Sequence, residues 1–276
     1  MLCKQLIKKT FFTYSPLLML LAALISSVAF ATPGAPVVRT KKMQVILLHD
    51  TIGTKAPDSL AAKTIVTKIS LNKNVAGFAN AYVKKEDEFL QKMRSKSKQY
   101  FPTIEKVFQQ FEVPIQLKYL AIVESELRSN AKSRVGARGL WQFMPVTAKE
   151  LGLRIAGKTD DRVHTYRSTV AAAKYLRYLY AEFGDWLLVL AAYNSGPGTV
   201  YKAIKKAGSK NFWTLQKFLP AESRGHVKRF VSIHYFFEGE GSVTTQTKAE
   251  AKAWEEKLCA EEYVAGSRQD NSLTSK

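Results

Sequence analysis

Histidine and cysteine are scarce in this sequence, with four of the first and two of the second in 276 residues. Neither Cys3 nor Cys259 stands in a metal-ligand spacing, and the histidines are scattered, so no metal site is expected. The same scatter leaves no serine–histidine–acid arrangement to read. No phosphate loop, dinucleotide fingerprint or internal repeat is present, and no cofactor is expected. Acidic residues are also few, 23 against 42 Lys and Arg, and the net charge is +19. That balance favours an anionic partner: nucleic acid, an acidic membrane surface or an acidic polymer. Nucleic acid ranks last, because the aromatic–basic interleaving of single-strand binding surfaces is missing.

Long uncharged runs are missing too, except from Thr10 to Val38. Lys4, Lys8 and Lys9 precede that run, Pro16 to Ala31 is apolar apart from Ser26 and Ser27, and it closes with Ala29-Phe30-Ala31. Residues 1–31 thus read as a secretory signal peptide with an A-x-A cleavage site. The alternative is an uncleaved membrane anchor. The cleavage triplet and the Pro33-Gly34-Ala35-Pro36 stretch behind it favour removal. The protein is then expected outside the cytoplasm, in the periplasm or cell envelope. Its basic charge, or an uncleaved leader, would hold it near envelope polymers or lipid headgroups.

With 46% hydrophobic residues, the remainder suffices for one globular domain with flanking segments. Residues 32–83 read as a linker or weakly structured N-terminal segment. A helix is expected over 84–99, and a second from Pro102 with Ile104, Val107, Phe108 and Phe111 inward. Pro114 is placed to start a third over 115–128. Further helices are expected from Pro145, over 170–180, and over Trp186 to Tyr193, an uncharged run too short to cross a bilayer. Asn194-Ser195-Gly196-Pro197-Gly198 ends that run. Short helices follow near 201–207 and 212–218, and a longer one from Ala221 to about Phe237. Residues 239–276 read as a polar tail, partly disordered, in which 248–263 could form a marginal helix. The fold class is mostly α, the domain spans 84–238, and a monomer is expected.

The chain is organised around Tyr119 to Thr147. Leu117, Leu120, Ala121, Glu124 and Leu127 recur at helical spacing, so one member of an apolar face is a carboxylate. Such an acid is either paired, for instance with Arg128, or functional; burial raises its proton affinity, which suits proton donation. Ser133 either caps a turn or bonds a substrate. Gln142, inside Leu140-Trp141-Gln142-Phe143-Met144, holds either backbone or ligand. Tyr193 and Asn194 close the most apolar helix, as core tyrosine and cap or as cleft residues. Glu222 opens a helix, where the dipole favours an acid.

Four motifs stand in order: Glu124-Ser125-Glu126-Leu127; Ser133 with Gly136-Ala137 and Gly139 through Pro145 to Thr147-Ala148; Ala191-Ala192-Tyr193-Asn194 with Gly196 and Gly198; and Phe212-Trp213-Thr214-Leu215 followed by Leu219 through Arg224. Together, over about 84–237, they resemble the lytic transglycosylase domain of the soluble type, nearest the membrane-bound murein transglycosylase D branch. The resemblance implies a lysozyme-like helical fold with a glycan-binding cleft. It implies cleavage of the β-1,4 bond between N-acetylmuramic acid and N-acetylglucosamine in peptidoglycan, leaving a 1,6-anhydromuramic end. Glu124 falls on the catalytic acid, and Ser133, Gln142, Tyr193, Asn194 and Glu222 on substrate-binding positions. Hydrolysis as in a muramidase, or glycan binding without catalysis, are the alternatives. The branch usually carries Tyr-Val-Pro where this chain has His226-Val227-Lys228, and glycine where it has Glu112.

Overall fold

A computed structural model describes residues 68–273, with side chains as far as Ala260. The expected signal peptide, and the linker up to residue 67, lie outside the described residues. The fold is mostly helical: α1 Lys73–Lys85, α2 Asp87–Gln110, a 3-10 turn Ile115–Tyr119, α3 Leu120–Ser125 and α4 Pro145–Glu150. A hairpin of two short strands follows, β1 Ile155–Ala156 and β2 Thr159–Asp160, antiparallel with Ile155 opposite Asp160. Then come α5 Thr165–Phe183, α6 Trp186–Ser195, α7 Pro197–Ala207, α8 Phe212–Leu215, α9 Ala221–Glu238 and α10 Lys248–Leu273.

The centre is α6. Every residue from Trp186 to Ala192 is buried, and α5, α7 and α9 surround it. Asp185 starts this helix, its Oδ1 accepting from the N–H groups of Leu187 (2.9 Å) and Leu188 (3.2 Å). Its other oxygen accepts from the Lys248 N–H at 2.8 Å, so one buried carboxylate caps both α6 and α10. Burial pushes its pKa up, against the downward pull of those backbone donors.

Three sequence expectations are corrected. Residues 73–83 are not a weakly structured linker: α1 packs along α9 and buries Val75 and Ala79. Its inner face is a thin stripe completed by Tyr82 and Val83, masked in the sequence by polar neighbours. Pro102 does not begin a helix but lies inside α2. Leu90, Met93, Ser97, Phe101, Ile104 and Phe108 form one continuous buried stripe across it, while Pro102 faces solvent. The helix expected as marginal over 248–263 is longer, α10 running from Lys248 to Leu273, because it has a strong start. Thr247 and Glu250 form a reciprocal cap: Glu250 Oε2 accepts from the Thr247 N–H at 2.7 Å, and Thr247 Oγ1 from the Glu250 N–H at 3.3 Å.

The helix that carries Glu124 is also shorter than the apolar pattern suggests. It runs from Leu120 to Ser125 and stops at Glu126 and Leu127, both at positive φ (54° and 56°). Its end is fixed by Lys96 Nζ on the Glu126 carbonyl (2.8 Å) and Arg128 Nε on the Ser125 carbonyl (3.1 Å), cations where the helix dipole favours them.

Candidate active site

Glu124 lies near the end of α3 with its side chain 13% exposed. Its partner is not Arg128, which pairs instead with Glu126 at 3.8 Å. Glu124 Oε1 meets His226 Nε2 at 2.8 Å, across 102 residues of sequence. His226 is 3% exposed at its side chain, and its Nδ1 is buried without a hydrogen-bond partner among the described residues. Next to Glu124, the buried Ser125 hydroxyl lies 2.8 Å from the Leu140 carbonyl, tying α3 to the turn that follows.

That turn carries Ser133 and Gln142. Ser133 Oγ accepts from the Ala137 N–H at 2.9 Å, so the hydroxyl caps its own turn and retains its proton for another acceptor. Gln142 Nε2 donates to the Gly139 carbonyl at 2.7 Å. Gln142 itself sits at φ 49°, a strained position for a residue with a side chain. Gly139 is required where it stands. Its φ is +85°, and a Cβ there would lie 1.9 Å from the Arg162 carbonyl oxygen. The close approach serves a clamp. Arg162, 7% exposed, grips Asp160 with Nε (2.9 Å) and Nη2 (2.8 Å), and its Nη1 donates to the carbonyls of Gly136 (2.8 Å) and Phe143 (2.9 Å). Arg138 adds a second cation on Asp160 at 3.0 Å. The Arg162 bonds hold the Asp160 pKa down against burial.

Tyr193, at the end of α6, donates its hydroxyl to the Trp141 carbonyl at 2.9 Å. Burial raises its pKa, and the charge of Glu124 raises it further, which places the phenol in the field of that carboxylate. Tyr193 packs 5.5 Å from Tyr175, which stacks at 6.3 Å on the exposed Tyr178, so an aromatic row leads from the Glu124 region to the surface. Asn194 Oδ1 accepts from Ser223 Oγ at 2.8 Å.

The fold therefore brings Glu124, Tyr193 and Asn194 together through α3, α6 and α9, with Gln142 adjacent through its neighbours Trp141 and Phe143. Ser133 is fixed within its own turn. Glu222 is exposed in the first turn of α9 and is not hydrogen-bonded to this group. Sequence reading missed Ser223 and His226 as site residues. With Val227 and Phe230 they occupy the buried face of α9, so His226 is a polar interruption of an apolar stripe, the same signal that marked Glu124. A cleft of about 430 Å³ opens elsewhere, lined by Trp213, Thr214, Gln216, Lys217, Arg224 and Lys228, and contains none of these site residues.

Parts of this chain match known proteins. Residues 103–216 match the model of the transglycosylase SLT domain, a span that contains Glu124, Ser133, Gln142, Tyr193 and Asn194 but ends before α9. The chain is 40% identical over 126 residues to membrane-bound lytic murein transglycosylase D of Escherichia coli K12, covering 44% of this chain and 27% of the relative. It is 30% identical over 125 residues to soluble lytic murein transglycosylase of the same strain, covering 43% of this chain and 19% of the relative. The chain thus spans about a quarter or less of the length of these relatives. Among solved structures, the 70 kDa soluble lytic transglycosylase of Escherichia coli aligns with a TM-score of 0.46 at 27% identity, over 55% of this chain and 26% of that one.

Proposed function

From the premise that this chain carries a transglycosylase SLT domain over residues 103–216, we propose that it is a lytic transglycosylase of peptidoglycan with Glu124 as its catalytic acid and base. The observation that carries this reading is the setting of Glu124: nearly sealed, and hydrogen-bonded to an imidazole instead of a second carboxylate. Ordinary glycosidases work with two carboxylates flanking the scissile bond. A single one suffices if the substrate supplies the nucleophile.

Glu124 donates its proton to the glycosidic oxygen as the bond from C1 of N-acetylmuramic acid breaks. The N-acetyl group of that sugar stabilises the developing positive charge at C1. The sugar's C6 hydroxyl then attacks C1, and the ionised Glu124 takes the hydroxyl proton as the new C1–O6 bond forms. The proton count closes on the carboxyl, and no water is consumed. The attacking hydroxyl belongs to the same ring, which gives it the proximity advantage of an intramolecular reaction. Tyr193 and Asn194 border the reacting sugar from α6, and Gln142 and Ser133 from the clamped turn. Glu222 serves the rim, consistent with its exposure. We take 84–238 as the catalytic unit, with α1 packed along α9. The leader would deliver it to the envelope, where the glycan strands are.

Digestion of purified peptidoglycan by the wild-type protein and by Glu124→Gln, followed by mass spectrometry, tests the reading. Fragments lighter than hydrolysis products by one water are expected from the wild type and none from the variant. Fragments carrying an added water would identify a hydrolytic muramidase instead, and equal digestion by both proteins would remove Glu124 from the mechanism.

A further inference from the structure

We propose that His226 is a positioning residue for Glu124, fixing the orientation of the carboxyl group through Oε1. This rests on the reading of Glu124 as the acid. The geometry is direct: an imidazole on one carboxyl oxygen at 2.8 Å, with both side chains largely withdrawn from water. With Oε1 engaged, Oε2 is the oxygen left for the substrate.

Tyr193 of α6 registers the Glu124 charge, and several other ionisable groups on the surrounding elements answer to different partners. Tyr82 of α1 lies in the fields of Glu86, Arg229 and Glu126, and Lys96 of α2 in those of Arg128, Glu126 and Lys92. Tyr119 of the 3-10 turn responds to Glu238, Glu105 and Arg94, and His234 of α9 to Lys118. On α9 itself, Lys228 lies over the Phe78 ring, 5.7 Å from its centroid. Position adds to the argument. Ser223, one turn earlier on the same face, is fixed to Asn194, so α9 delivers His226 from a backbone already tied to α6.

His226→Gln keeps an amide able to bond Glu124 and should hold kcat on peptidoglycan within about threefold of wild type, whereas His226→Ala, which frees the carboxyl group, should lower kcat about tenfold or more with KM within about twofold. His226→Tyr, which restores the residue usual in the resembled branch, keeps a hydrogen bond and should follow the glutamine variant. Equal losses in His226→Gln and His226→Ala, a loss confined to KM, or an unchanged kcat in His226→Ala would overturn the proposal. A readout without turnover accompanies it: the NMR resonance of His226 Nε2 should move in Glu124→Ala, and identical spectra would also overturn the pairing. No product from wild type would refute the lyase reading itself, and the NMR comparison would still decide the pairing.

Discussion

Replacing Arg162 by methionine is the sharpest test of how the fold holds its candidate site. The guanidinium makes two bonds to Asp160 and one each to the carbonyls of Gly136 and Phe143, on either side of the turn that carries Gln142. Methionine fills much of the volume and removes all four. Asp160, 11% exposed, is then left with Arg138, whose side chain is 39% exposed and a poor substitute. Breaking one partner of a buried pair costs about 3–5 kcal/mol, because the remaining charge stays buried. For a domain of this size that is a fall in Tm of roughly 6–20 °C, at about 2–4 °C per kcal/mol. Thermal unfolding of the full chain measures it. The double variant Arg162→Met/Asp160→Asn removes the stranded charge and should recover a substantial part of the loss, giving a coupling energy of at least about 1 kcal/mol in a double-mutant cycle. Because Asp160 is held below the ordinary carboxylate pKa by Arg162, the clamp's contribution is complete above about pH 4 and is lost as pH falls through the depressed folded value. Additive single effects at neutral pH, or an Arg162→Met variant within about 0.5 kcal/mol of wild type, would refute the clamp.

Asp185→Ala should cost about 2–4 kcal/mol, since three backbone N–H groups at the starts of α6 and α10 lose one charged acceptor; hydrogen exchange should show the first turn of α10 opening. Asp185→Asn, which keeps an acceptor, should cost less than half as much, and equal losses in the two variants would contradict the shared cap. Glu112→Gly should stabilise the protein by about 0.5–1 kcal/mol in denaturant titrations, because Glu112 ends α2 at φ 53° and its exposed pair with Arg177 at 3.6 Å offsets little of that strain; a destabilised variant would show that the pair outweighs the backbone. His234, buried and held down to about 4 from 6.5, binds its proton more readily in the unfolded chain. Stability should therefore decline as pH falls through that window, by about 3 kcal/mol in all, and the slope should flatten in His234→Gln. Parallel slopes in the two proteins would refute the assignment.

What the sequence made legible follows the range of the interactions. The all-buried α6 was visible because seven consecutive apolar residues need no partner to declare themselves. Pro102 misled because proline carries a strong local preference, whereas the buried stripe from Leu90 to Phe108 is spread over five turns and overrides it. The start of α10 is written in the text as Thr247-Lys248-Ala249-Glu250, a capping-box pattern, but no apolar run follows, so the helix reads there as marginal. Glu112 is a milder case. Only the backbone reveals that a left-handed residue is needed there, which explains why glycine is usual at this place in the resembled branch.

The candidate site shows the same limit in its sharpest form. Glu124 interrupts the apolar face of α3, and His226 interrupts that of α9. Each is anomalous in its own helix, and periodicity finds both. A buried acid without a partner and a buried base without a partner are each costly, so two such anomalies in one domain already suggest that each offsets the other. What periodicity does not supply is the juxtaposition across 102 residues, because that depends on α1 and α6 setting where α9 lies relative to α3. The exchange of Tyr-Val-Pro for His226-Val227-Lys228 stands in the sequence only as a departure from the resembled branch. In the folded chain it is a change in the chemistry next to the proposed acid. A tyrosine there could hold Glu124 through its hydroxyl, whereas the histidine brings an imidazole nitrogen to the carboxyl at 2.8 Å.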